Sequence, residues 1–245
     1  MIPAMSDPAH AIMLASASPR RRRLIGWLGF SPGVTSVETP EDLSSPLAAD
    51  PPRLAAAIAS EKALAARGDG AHAHLVLAFD TIVVHEGRAL GKPADVADAW
   101  RMLRELSGGT HEVTTGVALL APGTDTPATF PVTTTVTMRE LDDATIAAWL
   151  ATDEALGCAG AYNIEHHLAS VADDECYHNV AGMPLCHVYA ALASGALGAT
   201  PEGLEAPVAL CDAALGRHCQ LGPAVCSADG QTRVATTIND SSVSA

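Results

Sequence analysis

The stretch Ile12-Met13-Leu14-Ala15-Ser16-Ala17-Ser18-Pro19-Arg20-Arg21-Arg22-Arg23 reads as a short buried strand delivered straight into a capped helix. Ile12–Ala15 supply the apolar strand. Ser18 suits the helix N-cap, because its hydroxyl accepts from a free backbone N–H, and Pro19 suits the first helical position. The helix runs to about Leu28, and Gly29 closes it. Helical spacing then sorts the four arginines. Arg20 shares a face with Leu24 and Leu28, and Arg21 with Ile25, so both lean toward the buried side. Arg22 and Arg23 point to solvent. A helix mouth with unpaired N–H groups and two inward guanidinium groups suits an anion, above all a phosphate. A merely solvated basic face accounts for Arg22 and Arg23 but not for Arg20 and Arg21.

Working outward, strands continue to alternate with helices. Residues 31–50, rich in Pro, Ser and Asp, read as a loop before a helix over 51–67. Leu75–Val84 reads as a strand that turns at Glu86-Gly87-Arg88 into a hairpin. Asp95 to Leu106 has helical periodicity, with Trp100, Leu103 and Leu106 facing inward. Strands are predicted at 111–120 and 130–138, and Asp142 caps a helix to about Leu150. Two short β segments, 158–165 and 168–172, lead to a turn at 179–184 and a last helix ending near Gly195. This order makes an α/β domain, and the adjacent strands at 111–138 make its sheet mixed. Residues 1–11 read as an N-terminal extension and 12–199 as the domain. Residues 200–245 read as a flexible, cysteine-containing tail.

Composition narrows the function. The 245 residues carry 14 Lys+Arg against 28 Asp+Glu, a formal charge of -14. That balance argues against a nucleic-acid binder, which must neutralise phosphates. Aromatic residues are only 4% of the chain, too few for base-stacking platforms. No apolar run approaches the roughly 18–20 residues that span a bilayer. Nor does the N-terminus have the order of a signal peptide, so a cytoplasmic location with reduced thiols is expected.

Against that background, a few ionisable groups stand out. Asp80 interrupts Leu75-Val76-Leu77-Ala78-Phe79-Asp80-Thr81-Ile82-Val83-Val84, which otherwise reads as buried strand. An unpaired buried carboxylate is costly, so it needs a metal, a cation or a catalytic cleft; a turn-capping Asp is the alternative. Only two of the fourteen basic residues are lysines, Lys62 and Lys92. Lys92 sits in Gly91-Lys92-Pro93, a stiff loop after the hairpin, and Lys62 lies on the second helix.

These pieces, taken in order, resemble the Maf family of nucleoside triphosphate pyrophosphatases. The matching elements are Leu14–Arg21, Glu38, Glu61-Lys62-Ala63, Asp80-Thr81, Gly91-Lys92-Pro93, Leu106-Ser107-Gly108 with His111, Thr115-Gly116, Ala159–Glu165 and Gly182-Met183-Pro184-Leu185. They cover about residues 12–195. The resemblance implies a two-lobed α/β fold, ITPase-like, whose elongated mixed sheet is flanked by helices around a central cleft. It implies hydrolysis of a nucleoside triphosphate, canonical or modified, to the monophosphate and pyrophosphate. A divalent cation, Mg²⁺ or Mn²⁺, and a homodimer are implied as well. By the same resemblance Ser16, Arg20, Arg21, Lys62 and Lys92 bind the triphosphate. Glu38 and Asp80 hold the metal, Asp80 is the general base, and Thr81 and Glu165 shape base or sugar recognition. Glu165 stands where pyrimidine-specific members usually carry Gln and 7-methyl-guanosine-specific ones tend to carry Glu, so the base is left open. A different class of function, a nucleotide-sensing regulator of cell division that does not hydrolyse, would use the same pocket. A conventional P-loop enzyme is excluded, since no G-x-x-x-x-G-K-[ST] occurs.

Cys211, Cys219 and Cys226, with His218, lie outside that resemblance. Their spacing matches no tight zinc pattern, which pairs ligands two to four residues apart. A composite metal site pairing some of His166, His167, Cys176, His178, Cys186 and His187 with the tail is the alternative to incidental thiols.

Overall fold

The architecture follows from one seven-stranded mixed sheet, seen in a computed structural model that describes residues 12–36, 45–67 and 74–242. Its strands are β1 (Ile12–Ala15), β2 (Gly33–Thr35), β3 (Leu75–His85), β4 (Arg88–Leu90), β5 (Thr110–Leu120), β6 (Ala128–Met138) and β7 (Ala169–Ser170). The order is β2-β1-β3-β5-β6-β7, and β4 pairs with β3 beside that path. β2, β1 and β3 are parallel and the remaining pairs antiparallel. The α/β class and the mixed sheet flanked by helices are thus as the sequence predicts. The helices are α1 (Pro19–Ile25), α2 (Pro51–Arg67), α3 (Val96–Leu106), α4 (Asp143–Leu150), α5 (Tyr177–Val180), α6 (Leu185–Ala193), α7 (Val208–Leu215), α8 (Leu221–Cys226) and α9 (Ala228–Ser242).

Alternation along β3 divides the interior in two. Val76 and Ala78 face α2 with Ala59 and Ala63; Ile82 and Val84 face it with Leu54, Ala55 and Ile58. Leu75, Leu77, Phe79 and Val83 face the larger core on the other side. Asp80 falls between the two α2-facing clusters. A small-residue face lets α2 lie close to the sheet. Gly116 makes the approach closer still, since a Cβ there would lie 2.1 Å from the Ala55 carbonyl. Gly116 is the residue paired across the ladder with Asp80, so this contact seats α2 beside the carboxylate.

The decisive topological feature is on the other edge of β3. β1 pairs with β3 only as far as Ala15↔Ala78, and β4 begins only at Val83↔Leu90. Among the described residues, Phe79 to Ile82 therefore has no strand beside it on that edge. Side chains from both faces of β3 reach the opening there.

Several segments differ from the sequence reading. The predicted loop at 31–50 contains strand β2 and a 3-10 turn at Pro46–Ala49, and β2 has a partner because β1 offers a free parallel edge. The β segment predicted at 158–165 is a run of 3-10 turns, since Gly160 and Ala161 take positive φ that extended chain does not allow. The one predicted at 168–172 is only the two-residue β7. The turn at 179–184 starts as the single helical turn α5. Beyond residue 199 the chain forms α7, α8 and α9. α9 packs on α6 and β6, with Cys211 and Ile238 buried in the main core. So few large apolar residues mark these helices that the sequence reads as tail; a small buried thiol and one isoleucine supply the anchors. The extension at 1–11 and Glu38 lie outside the described residues.

The Gly116 contact is testable. Gly116→Ala should cost about 1–3 kcal/mol through overpacking against the α2 backbone, read as a lower urea midpoint. An unchanged midpoint would show that α2 is not seated this closely.

Candidate active site

The unpaired stretch of β3 opens into a cleft of about 700 Å³, within the usual range for a small-molecule site. Ser16, Arg20, Arg21, Lys62, Asp80, Thr81 and Lys92 all line it. The end of β1 and the start of α1 bring in Ser16 and the two arginines, α2 brings Lys62, and the loop after β4 brings Lys92. Four stretches distant in sequence thus meet around one gap in a sheet edge.

Asp80 is 4% exposed, and its Oδ1 accepts from Lys62 Nζ at 2.6 Å. A buried carboxylate is tolerable only with such compensation. The pairing answers the question that the strand sequence poses: Asp80 is held by a cation and not by a turn. Among the described residues, it is the carboxylate that lines the cleft.

Arg21 is fixed from several sides. Its Nε donates to the Gly182 carbonyl at 2.7 Å, Nη2 to Thr81 Oγ1 at 2.8 Å and Nη1 to Ser16 Oγ at 3.4 Å. Its guanidinium carbon also lies 5.7 Å from the centre of the Phe79 ring, within reach of a cation–π attraction. Thr81 in turn shares a hydrogen bond of 2.9 Å with Thr115, which donates to the Asn179 carbonyl at 3.0 Å. The Asn179 side-chain amide donates to the carbonyls of Val113 and Val132 at 3.0 and 2.9 Å. A continuous network therefore runs from two central strands, through α5, to Arg21. Gly182 completes it: with φ at 98°, its backbone turns the carbonyl toward Nε where a side chain would meet the guanidinium. Arg20 is held more loosely. Its Nη1 donates to Cys158 Sγ at 3.5 Å, while its Nε is buried with no partner among the described residues. An anion in the cleft is one way to satisfy it.

Two predicted residues stand apart from these. Thr81 lines the cleft, but its hydroxyl is engaged by Arg21 and Thr115. Glu165 is absent from the lining and pairs with Arg23 on the exposed side of α1. Arg22 and Arg23 are exposed as the helical spacing predicts. Sequence reasoning gave no role to Asn179, Gly182 or Cys158. Tyr162, also on the cleft wall, bonds through its hydroxyl to His111 Nε2 at 2.8 Å. Burial lowers the His111 pKa to about 4, helped by the charge of His85, and raises that of Tyr162. Burial also lowers His187 to about 4.

Comparison with known proteins identifies relatives of the chain. A family model described as Maf-like protein matches residues 11–195. A dTTP/UTP pyrophosphatase of Geobacter metallireducens is 41% identical over 182 residues, which is 72% of this chain and 92% of that protein. One of Koribacter versatilis is 40% identical over 182 residues, 73% and 91% of the two chains. One of Anaeromyxobacter dehalogenans is 41% identical over 191 residues, 75% and 93%.

The buried imidazoles predict a pH effect on stability. An unfolded His titrates near 6.5, whereas His111 and His187 stay neutral in the fold down to about pH 4. Their contribution is complete above pH 6.5 and is lost as the pH falls from there toward 4. The urea midpoint should drop across that window, and a variant carrying His111→Gln and His187→Gln should drop less. Equal slopes would rule the two imidazoles out.

Proposed function

The chain belongs to the Maf-like family of nucleoside triphosphate pyrophosphatases, and from that premise we propose that it hydrolyses dTTP and UTP to the monophosphate and pyrophosphate. The observation that carries the reading is the buried Lys62–Asp80 pair in a cleft that Arg20, Arg21 and Lys92 also line. The pyrimidine preference is taken from the relatives named dTTP/UTP pyrophosphatase, which share about two-fifths of their residues with this chain.

A nucleoside triphosphate carries about four negative charges, and cleaving its α–β anhydride moves charge onto the departing pyrophosphate. Such a reaction needs fixed cations and positioning more than covalent chemistry. Arg21, oriented by Gly182, Thr81 and Ser16, and Arg20, with its unsatisfied Nε, bind phosphoryl oxygens. Lys92 approaches from the opposite end of the gap and Lys62 from below it. Asp80 accepts the proton of the attacking water, with Lys62 holding the carboxylate in place. The resulting charge stays neutralised inside the cleft. Thr81 acts here by orienting Arg21. Glu165 pairs with Arg23 outside the cleft lining and is given no contact with the base in this reading.

Mg²⁺ or Mn²⁺ suits the donor chemistry, since such ions are bound through one or two carboxylates together with substrate phosphates. Among the described residues no group of three or more ligating side chains gathers in advance. Asp80 and the triphosphate oxygens would hold the ion, which would neutralise phosphate charge when bound.

A panel of canonical and modified nucleoside triphosphates, scored for pyrophosphate release with Mg²⁺ and Mn²⁺, tests the substrate. dTTP and UTP should give the highest kcat/KM. A preference for a purine or a 7-methylated base would overturn the pyrimidine assignment, and tight binding without pyrophosphate would favour a sensor. Asp80→Asn should lower kcat by about 10²–10⁴-fold with an unchanged circular dichroism spectrum. Near-normal turnover would remove Asp80 from the role of base.

A further inference from the structure

Arg20 and Arg21 both enter the cleft from α1, and Arg21 is held there by oxygen acceptors. Arg20 meets a sulfur. Its Nη1 donates to Cys158 Sγ at 3.5 Å, and the Cys158 thiol donates in its turn to the Glu154 carbonyl at 3.4 Å. A thiol has a single hydrogen to give. With that hydrogen on the carbonyl, the sulfur offers Arg20 its lone pairs. Cys158 is 5% exposed and lies between Gly157 and Ala159 of the cleft wall without joining the lining itself. It therefore acts on a bound anion only through Arg20.

The backbone around the sulfur keeps it in place. Cys158 N–H donates to the Ala155 carbonyl at 3.1 Å, and Ala161 N–H to the Cys158 carbonyl at 3.0 Å. Trp149 Nε1 donates to the Ala161 carbonyl at 2.7 Å. Gly160, with φ at 64°, seats this run of 3-10 turns on β3, where a Cβ would lie 2.9 Å from Val83 Cγ2. Its N–H also donates to the Gly91 carbonyl at 3.0 Å, beside Lys92. One rigid segment thus touches Arg20 and the loop that carries Lys92. Sulfur is a weak acceptor, so it orients a guanidinium without using up its donors. Arg20 Nε stays buried with no partner among the described residues, and phosphoryl oxygens are the stronger acceptors.

We propose that Cys158 is a positioning residue for Arg20: its sulfur holds the guanidinium toward the cleft before the anion arrives and yields it to phosphoryl oxygens afterwards. The assignment rests on the triphosphate hydrolysis proposed for this cleft. A free arginine side chain gives up its rotamer freedom when it binds an anion, and that cost weakens affinity. Cys158 removes part of the cost in the unliganded chain. Once bound, the phosphates hold Arg20 themselves, so loss of the sulfur is felt in binding and not in turnover. A small buried thiol that serves packing alone would show no such split.

The test measures binding of inorganic pyrophosphate by calorimetry and hydrolysis of dTTP by pyrophosphate release. It uses the full chain, Cys158→Ala, Cys158→Ser, Arg20→Ala and the Arg20→Ala, Cys158→Ala double variant. Cys158→Ala should weaken pyrophosphate binding and raise KM by about 2- to 10-fold, with kcat nearly unchanged. Cys158→Ser keeps a donor and an acceptor and should recover most of the loss. In the Arg20→Ala chain the second substitution should add nothing, because the effect passes through the arginine. Unchanged Kd and KM, a fall in kcat alone, serine no better than alanine, or a full effect in the Arg20→Ala chain would each overturn the assignment. A wild-type chain that binds pyrophosphate but releases none from dTTP or UTP would instead overturn the proposed reaction.

Discussion

A short break in strand pairing organises this molecule. Between the end of β1 at Ala15 and the end of β4 at Leu90, one edge of β3 has no neighbour among the described residues. Elsewhere in the sheet, neighbouring strands separate the two faces. At the break both faces open into one space, so Asp80 and Thr81, which point in opposite directions, line the same cleft. Whatever else the site contains is brought to that opening by elements that end or turn there. β1 stops and becomes α1, α2 lies beneath, and the β4 hairpin returns past it. The opposite edge of β3 is continuously paired with β5, which keeps the break rigid.

Rigidity is supplied in two different ways. On the α2 side it is steric: alanines and Gly116 bring the helix so near that Lys62 reaches Asp80. On the other side it is polar, a chain of buried hydrogen bonds from Asn179 through Thr115 and Thr81 to Arg21. Buried networks of this kind hold their members in one arrangement, here with the Asn179 side-chain oxygen left without a partner among the described residues. A net charge of -14 does not oppose an anionic ligand here. Remote surface charge is screened beyond roughly 8–10 Å, while several cations face the cleft at short range. Both lysines of the chain stand in that lining, where a compact ammonium and a planar guanidinium are not equivalent.

Legibility in the sequence followed the strength of local signals. The Ser18 cap, with its hydroxyl accepting from Arg21 N–H, was plain because capping is a matter of adjacent residues. Asp80 was plain because a carboxylate inside ten apolar residues demands an explanation. The three-residue strand β2 was not, since its only support is the free edge of β1. The 3-10 turns around Gly160 were not, because apolar residues there suit burial in any conformation. Glu165 was assigned to base or sugar recognition by resemblance, and the sequence held no sign that Arg23, 142 positions earlier, would engage it. Helices α7 to α9 escaped notice because a few small or isolated apolar residues bury them, without the broad stripe that marks a surface helix.

The sequence by itself determined the α/β order, the buried carboxylate, the inward arginines and the scarcity of lysine, because each depends on residue type or on neighbours within a turn or a strand. The tertiary structure alone decided that Lys62 is the partner of Asp80 and that Gly182 and Thr81 aim Arg21. Those contacts join residues separated by 18 to 161 positions. No local preference encodes them; they are set by which strand edge is left open and by how closely the helices can approach the sheet.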